Sequence, residues 1–104
     1  MKRAKLLPAA RADLLDIFEF ISDETQSVRV AQQYIRKLRA HCNHLASLPF
    51  EMGVPRPDLA QDLRSAPFGN YVLFFRYTAT RLEIVNIIEG HRDFPARFTP
   101  SKSE

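Results

Sequence analysis

Apolar residues near the start of the chain recur every three to four positions, the spacing of one face of an α-helix. Residues 2–7 are predicted to form a short strand, and Pro8 suits the first position of the helix that follows. The apolar positions of that helix are Ala10, Leu14, Ile17, Phe18 and Ile21. Leu15 and Phe20 lie off this face. The pattern predicts an amphipathic helix with two large apolar side chains outside its core-facing side.

A second helical pattern follows the polar stretch "DETQS", in which Ser27 is the predicted N-cap. Its core-facing positions are Ala31, Tyr34, Ile35, Leu38, Cys42 and Leu45. Its outer face is mainly basic, with Arg29, Gln32, Arg36, Arg39 and Asn43. The helix is predicted to end before Pro49. Because the link between the helices is short, they are expected to form an antiparallel hairpin.

Two later segments are rich in aromatic and β-branched residues, which is typical of strands. These are "YVLFFRY" at 71–77 and "LEIVNIIE" at 82–89, joined by a predicted turn, "TATR". Both are apolar on both faces, so each is expected to lie centrally in a sheet that is covered on both sides. The helix hairpin supplies one cover, and the C-terminal tail or a partner supplies the other.

Taken together, the elements predict one α+β domain over residues 1–98. An N-terminal strand precedes an antiparallel helix hairpin packed on a small antiparallel β-sheet. Residues 49–58, with three prolines and a glycine, are predicted to form a loop, and residues 59–66 contain a brief strand. Residues 99–104 are predicted to be a flexible C-terminal tail.

Composition adds only broad limits. The chain has 104 residues and a formal net charge of +3, which permits an acidic partner but does not require nucleic acid. A single cysteine, Cys42, excludes an internal disulfide and fits a reducing compartment. The apolar stretch near the start is too short for a signal peptide, and no later segment is predicted to span a membrane. A cytoplasmic location is therefore predicted.

Two groups of residues suggest chemistry that their surroundings do not support. His91-Arg92-Asp93 spells the kinase catalytic triplet, but no phosphate loop accompanies it and the following "FPARF" lacks the metal-binding Asn. His41, Cys42 and His44 do not converge, because Cys42 points to the core while the histidines flank the polar face. Neither a metal nor a cofactor is predicted.

Arg76, amid apolar residues, is expected to be buried and to pair with Glu83 or Glu89.

Four stretches carry a family resemblance: "PAARADLLDIFEFI", "HLASLPFEMGVPRPDLAQDLRS", "GNYVLFFRY" and "VNIIEGHRDF". In their order and spacing they resemble the ParE toxins of bacterial toxin–antitoxin systems, within the wider RelE/ParE superfamily. The resemblance implies an inhibitor that binds DNA gyrase without a chemical step of its own. It also implies a ParD antitoxin that neutralises this inhibitor.

RelE-like members of the superfamily instead cut messenger RNA on the ribosome. Their site has a basic residue ahead of the Gly-Tyr strand, an arginine after the last strand, and a tyrosine six residues later. Arg92 matches the arginine, but Phe98 stands at the tyrosine position and has no proton to exchange. Pro67 stands where the basic residue is expected, with Arg64 nearby. The resemblance therefore favours gyrase inhibition over the nuclease, and an inactive antitoxin-binding module remains a further alternative.

The resemblance also implies two sets of binding residues. Candidates for target binding are Arg64, His91, Arg92, Asp93 and Phe98, where the alternative for residues 91–93 is an ion pair that closes the sheet end. Candidates for binding an acidic antitoxin are Leu15, Phe20, Arg29, Arg36 and Arg39, where the alternative is internal packing of the apolar pair and a solvated basic face. The expected partners are a ParD-like antitoxin in a hetero-oligomer and DNA gyrase. DNA is expected to be met only indirectly, through either of them, and no membrane is involved.

Overall fold

A computed structural model of the protein describes residues 2–90. Its elements are β1 (Arg3–Leu6), α1 (Pro8–Thr25), α2 (Val28–Ser47), β2 (Val54–Pro55), β3 (Arg64–Phe68), β4 (Tyr71–Tyr77) and β5 (Arg81–Glu89). The five strands form one sheet in the order β1-β5-β4-β3-β2. The two helices pack against this sheet, which confirms the predicted α+β class.

The helix hairpin forms where the periodicity predicts it. Pro8 lies in the first turn of α1, where a backbone N–H has no intrahelical partner, so the N–H that proline lacks is not needed. α1 ends at Thr25, and the left-handed backbone of its C-cap residue Gln26 (φ 55°) turns the chain sharply. Ser27 Oγ then accepts a hydrogen bond from the Val30 N–H at 3.1 Å, so it is the N-cap of α2. Only residues 26 and 27 separate the helices, which confirms the predicted hairpin.

The sheet agrees with the predicted strands at its centre and differs at its edges. β4 has the predicted bounds, and β5 begins one residue early because the Thr78 N–H closes the turn onto the Arg81 carbonyl at 2.8 Å. β3 begins within the predicted segment and continues to Phe68, while the predicted 49–58 loop contains the two-residue β2. β1 is parallel to β5, whereas every other pair among these strands is antiparallel. The sheet is thus mixed, not purely antiparallel.

The main core lies between the helices and one face of the sheet. Leu73 and Phe75 of β4 and Leu82 and Ile84 of β5 are fully buried there. They pack in one cluster with residues of both helices, namely Ala10, Leu14, Ile17, Leu38, Cys42, Leu45 and Ala46. Burial of these side chains against the sheet holds the hairpin in place.

A second, smaller cluster covers the other face of the sheet. Phe74 and Ile88 are buried there beneath Leu59 and Leu63, which belong to the loop before β3. The loop is closed by a 2.7 Å hydrogen bond from the Arg56 N–H to the Leu63 carbonyl. The sequence predicted that the C-terminal tail or a partner would cover this face. Over Phe74 and Ile88 the cover is the chain's own loop before β3.

Candidate binding surfaces

An apolar groove lies on the outer side of the helix hairpin. It is lined by Leu14, Leu15 and Phe18 of α1, Ile35 of α2, and the cations Arg11 and Arg39. Leu15 is 60% exposed in this groove, so it does not pack internally. We call this surface the hairpin groove.

Phe20 is also exposed, at 55%, but it does not line the hairpin groove. It lies with Ile17, Tyr71 and the carboxylates of Asp16 and Glu89 in a separate depression, where α1 passes the end of the sheet. The alternative that Leu15 and Phe20 pack internally is therefore wrong. The two side chains belong to different surfaces, because five helical positions rotate the second well away from the first.

The three arginines of the predicted basic face, Arg29, Arg36 and Arg39, are all exposed on α2. Within residues 2–90 none of them has a carboxylate within ion-pair distance. Arg39 also lines the hairpin groove, beside Leu15. The fold thus places a cation next to an exposed apolar anchor, the combination suited to an acidic amphipathic segment.

The guanidinium of Arg64, a candidate for target binding, is hydrogen-bonded within the chain. Its Nε donates to the Met52 carbonyl at 2.7 Å and its Nη2 donates to the Gly53 carbonyl at 3.1 Å. Its Nη1 lies 3.6 Å from the Glu51 carboxylate, and its side chain is only 21% exposed. Arg64 therefore ties the loop before β2 to β3. The other candidates for target binding, His91, Arg92, Asp93 and Phe98, lie outside the described residues and remain predictions, as does the tail at 99–104.

Arg76 of β4 has the predicted partner, Glu83, but is not buried as predicted. Arg76 Nε donates to Glu83 at 2.9 Å, and Arg81 Nε donates to the second oxygen of the same carboxylate at 3.1 Å. The Arg76 side chain is 46% exposed and that of Glu83 only 10%, so the glutamate, not the arginine, is buried. The hydrogen bond from Arg76, supported by Arg81, holds the pKa of the Glu83 carboxyl below its ordinary value.

The Cys42 side chain lies in the core, whereas those of its neighbours His41 and His44 are partly or fully exposed. Cys42 is buried in the core, and its burial raises the pKa of the thiol to about 11. The His41 ring packs 5.1 Å from the Phe68 ring, and burial, with the charge of His44, lowers its pKa. Within residues 2–90 no three potential ligand residues converge, and no helix is long and apolar enough to cross a membrane.

A family model described as the ParE toxin of the type II toxin–antitoxin system parDE matches residues 4–94. The chain belongs to this family. A solved chain of the chromosomal ParDE toxin–antitoxin system from P. aeruginosa has a similar fold, with a TM-score of 0.69 and 19% identity. The alignment covers 86% of this ParE-family chain and 96% of that one. No curated protein matches it in sequence.

One buried carboxylate of this ParE-family chain escaped the sequence analysis. Asp13 of α1 accepts hydrogen bonds from the Ile87 N–H at 2.9 Å and from Asn86 Nδ2 at 3.1 Å. The β4–β5 ladder shifts register at this point, so the Asp13 carboxylate binds a backbone donor beside the bulge. The signal was present, because position 13 is three residues after Ala10 and four before Ile17, on the core-facing side of the helix.

Replacing Asp13 with alanine is expected to lower the free energy of unfolding by about 2–4 kcal/mol, since a buried backbone donor loses its partner. Asp13→Asn keeps an accepting oxygen and should lose less. Chemical denaturation monitored by circular dichroism measures both. Asp16→Ala, at an exposed carboxylate on the same helix, is the matched control and should change stability little. If both alanine variants lose the same stability, Asp13 does not link α1 to the sheet.

Proposed function

We propose that this ParE-family protein is a toxin that inhibits DNA gyrase by binding and is neutralised by a ParD-like antitoxin. The family match over residues 4–94 is the observation that carries this proposal. Since gyrase acts on the chromosome, the proposed place of action is the cytoplasm.

The geometry of β3 favours binding over RNA cleavage. The nuclease relatives need a free cation ahead of the strand that corresponds to β4, to bind the phosphate at the cut. Here Pro67 occupies that position, exposed and without a charge. Arg64, the nearby cation, already donates to Met52 and Gly53. Together with Phe98 in place of the tyrosine, this leaves the nuclease set incomplete, so the protein is not proposed to be an enzyme.

The hairpin groove supports the second half of the proposal. Its apolar floor of Leu14, Leu15, Phe18 and Ile35 has Arg11 and Arg39 beside it. An antitoxin segment that is disordered alone and folds on binding would place apolar side chains on Leu15 and acidic ones near Arg39. The depression at Phe20 is a second candidate contact for the same partner. Arg29 and Arg36, farther out on the exposed face of α2, would guide the encounter.

Expression of the protein alone, with growth, DNA damage and messenger RNA followed together, tests the target. We expect growth arrest and induction of the DNA-damage response, with ribosome-bound messages intact, and inhibition of supercoiling by purified gyrase. Co-expression of the cognate antitoxin should restore growth. Arg92→Ala is expected to weaken toxicity without altering the melting temperature, and Arg97→Ala provides a matched control.

Other outcomes would assign the protein elsewhere. Codon-positioned cuts in messenger RNA that precede any effect on DNA would identify a ribosome-dependent nuclease. Normal growth combined with tight antitoxin binding would identify an inactive antitoxin-binding module. Equal losses of melting temperature and toxicity in Arg92→Ala would make that residue structural.

A further inference from the structure

Four cations come together on the sheet face opposite the helices. The parallel register of β1 with β5 pairs Arg3 with Arg81 and Lys5 with Glu83, and β4 adds Arg76 opposite Glu83. Paired residues of neighbouring strands project from the same face of a sheet. The alternate residues of β1, Ala4 and Leu6, pack in the core beneath the helices, so Arg3 and Lys5 belong to the other face. We call Arg3, Lys5, Arg76 and Arg81 the sheet patch.

The sheet patch carries a net positive charge held in a fixed arrangement. Its one carboxylate, Glu83, is buried, and each of its oxygens accepts from one arginine, Arg76 or Arg81. The side chains of those arginines are still 46% and 45% exposed. Arg3 and Lys5 are exposed and, within residues 2–90, have no carboxylate at ion-pair distance. Three positive charges therefore remain uncompensated at this one place.

Geometry and composition indicate which anion fits. Neighbouring strands lie about 4.8 Å apart, so the patch extends roughly 10 Å from β1 to β4 and about 7 Å along each strand. These dimensions match a short row of backbone phosphates better than a single small anion. Glu83 orients Arg76 and Arg81 while leaving N–H donors of each for an oxyanion. The patch contains no aromatic residue on which an unpaired base could stack, and a flat sheet face cannot read base edges in a groove.

We propose that the sheet patch binds the phosphate backbone of duplex DNA without reading its sequence. The proposal goes beyond gyrase inhibition, since it requires neither gyrase nor an antitoxin. It also differs from the expectation that DNA is met only indirectly. That expectation followed from the family resemblance, and the modest net charge of the sequence did not require nucleic acid, whereas the parallel β1–β5 register concentrates positive charge on one face.

Salt dependence of DNA binding tests this proposal with the full-length protein purified free of antitoxin. Fluorescence anisotropy of a labelled duplex of about 20 base pairs would be followed between about 50 and 200 mM salt. Three phosphate contacts predict a slope of about −2.7 in a plot of log Kobs against log salt concentration. The double variant Arg3→Gln, Lys5→Gln should make the slope shallower by about two, because each lost contact removes about 0.9.

The matched control is the double variant Arg36→Gln, Lys37→Gln, which removes the same charge from exposed positions on α2. It should leave the slope unchanged. Thermal unfolding checks that both variants are folded, and Lys5→Gln alone, with an expected change of about one, replaces the first double variant if that variant does not fold.

Several results would overturn the proposal. Equal changes in slope for the two double variants would show that only net charge matters. The absence of duplex binding at low salt, or tighter binding of single-stranded DNA or RNA of equal length, would exclude a duplex-backbone surface. Competition by polyglutamate as effective as by DNA of equal charge would assign the patch to an acidic protein.

Discussion

Replacing Arg64 with alanine is expected to lower the free energy of unfolding by about 2–4 kcal/mol, because two charge-assisted hydrogen bonds are lost together. The guanidinium donates to Met52 and Gly53 at 2.7 and 3.1 Å and is largely buried. Gly53 has a φ of +82°, and a Cβ there would lie 2.7 Å from the Ser65 carbonyl oxygen. The backbone at Gly53 is therefore held in a left-handed conformation with no room for a side chain. Chemical denaturation followed by far-ultraviolet circular dichroism measures the loss.

Two comparisons separate this structural role from target binding. Arg64→Lys retains the charge but cannot make both bonds, so its loss of stability should be intermediate. Arg3→Ala, at an exposed residue of β1 that has no ion-pair partner within residues 2–90, should change stability little. As a candidate for target binding, Arg64 would be expected to lose more toxicity than stability on replacement by alanine, but its contacts favour the opposite order. If Arg64→Ala is fully folded at the assay temperature yet not toxic, Arg64 is a target-binding residue after all.

The elements that sequence patterns predicted are those set by local physical chemistry. Helical spacing in α1 and α2, the Ser27 cap and the apolar run of β4 each depend on neighbours within a few positions. The parallel pairing of β1 with β5 and the cover of Phe74 by Leu59 depend on contacts between distant parts of the chain. The alternation of side chains along a strand is the same for parallel and antiparallel neighbours, so it could not predict that β1 pairs in parallel with β5.

The candidate surfaces show the same division. Leu15 was placed outside the core-facing side of its helix because that position follows from periodicity, and the structure decides between exposure and internal packing in favour of exposure. Arg76 was expected to be buried because its strand is apolar, but burial depends on what covers each face of the sheet, and its partner Glu83 is the buried member of the pair. The sheet patch was not predicted, since Arg3 and Arg81 are 78 positions apart in sequence and meet only through the strand register.

Reversing the charge of Arg36 should slow antitoxin association while leaving dissociation nearly unchanged. Arg36 is exposed and is not among the residues that line the hairpin groove, so we expect it to affect the approach of an acidic partner more than the final contact. Arg39 lines the groove beside Leu15, so Arg39→Glu should also speed dissociation. Together the reversals are expected to lower the association rate constant by roughly 10- to 100-fold at low salt, with a weaker salt dependence than the unaltered protein.

Surface-based binding kinetics with the cognate antitoxin, at several salt concentrations, measures both rate constants. The control is Arg3→Glu, compared with Arg36→Glu alone, since it changes the net charge equally but on the opposite face of the sheet. Because attraction between exposed charges is screened within about 8–10 Å at ordinary ionic strength, a reversal on the face opposite the helices should slow association much less. Equal slowing by the two single reversals would mean that total charge steers the encounter. If neither the α2 reversal nor added salt changes association, the basic face of α2 is solvated and the antitoxin binds elsewhere.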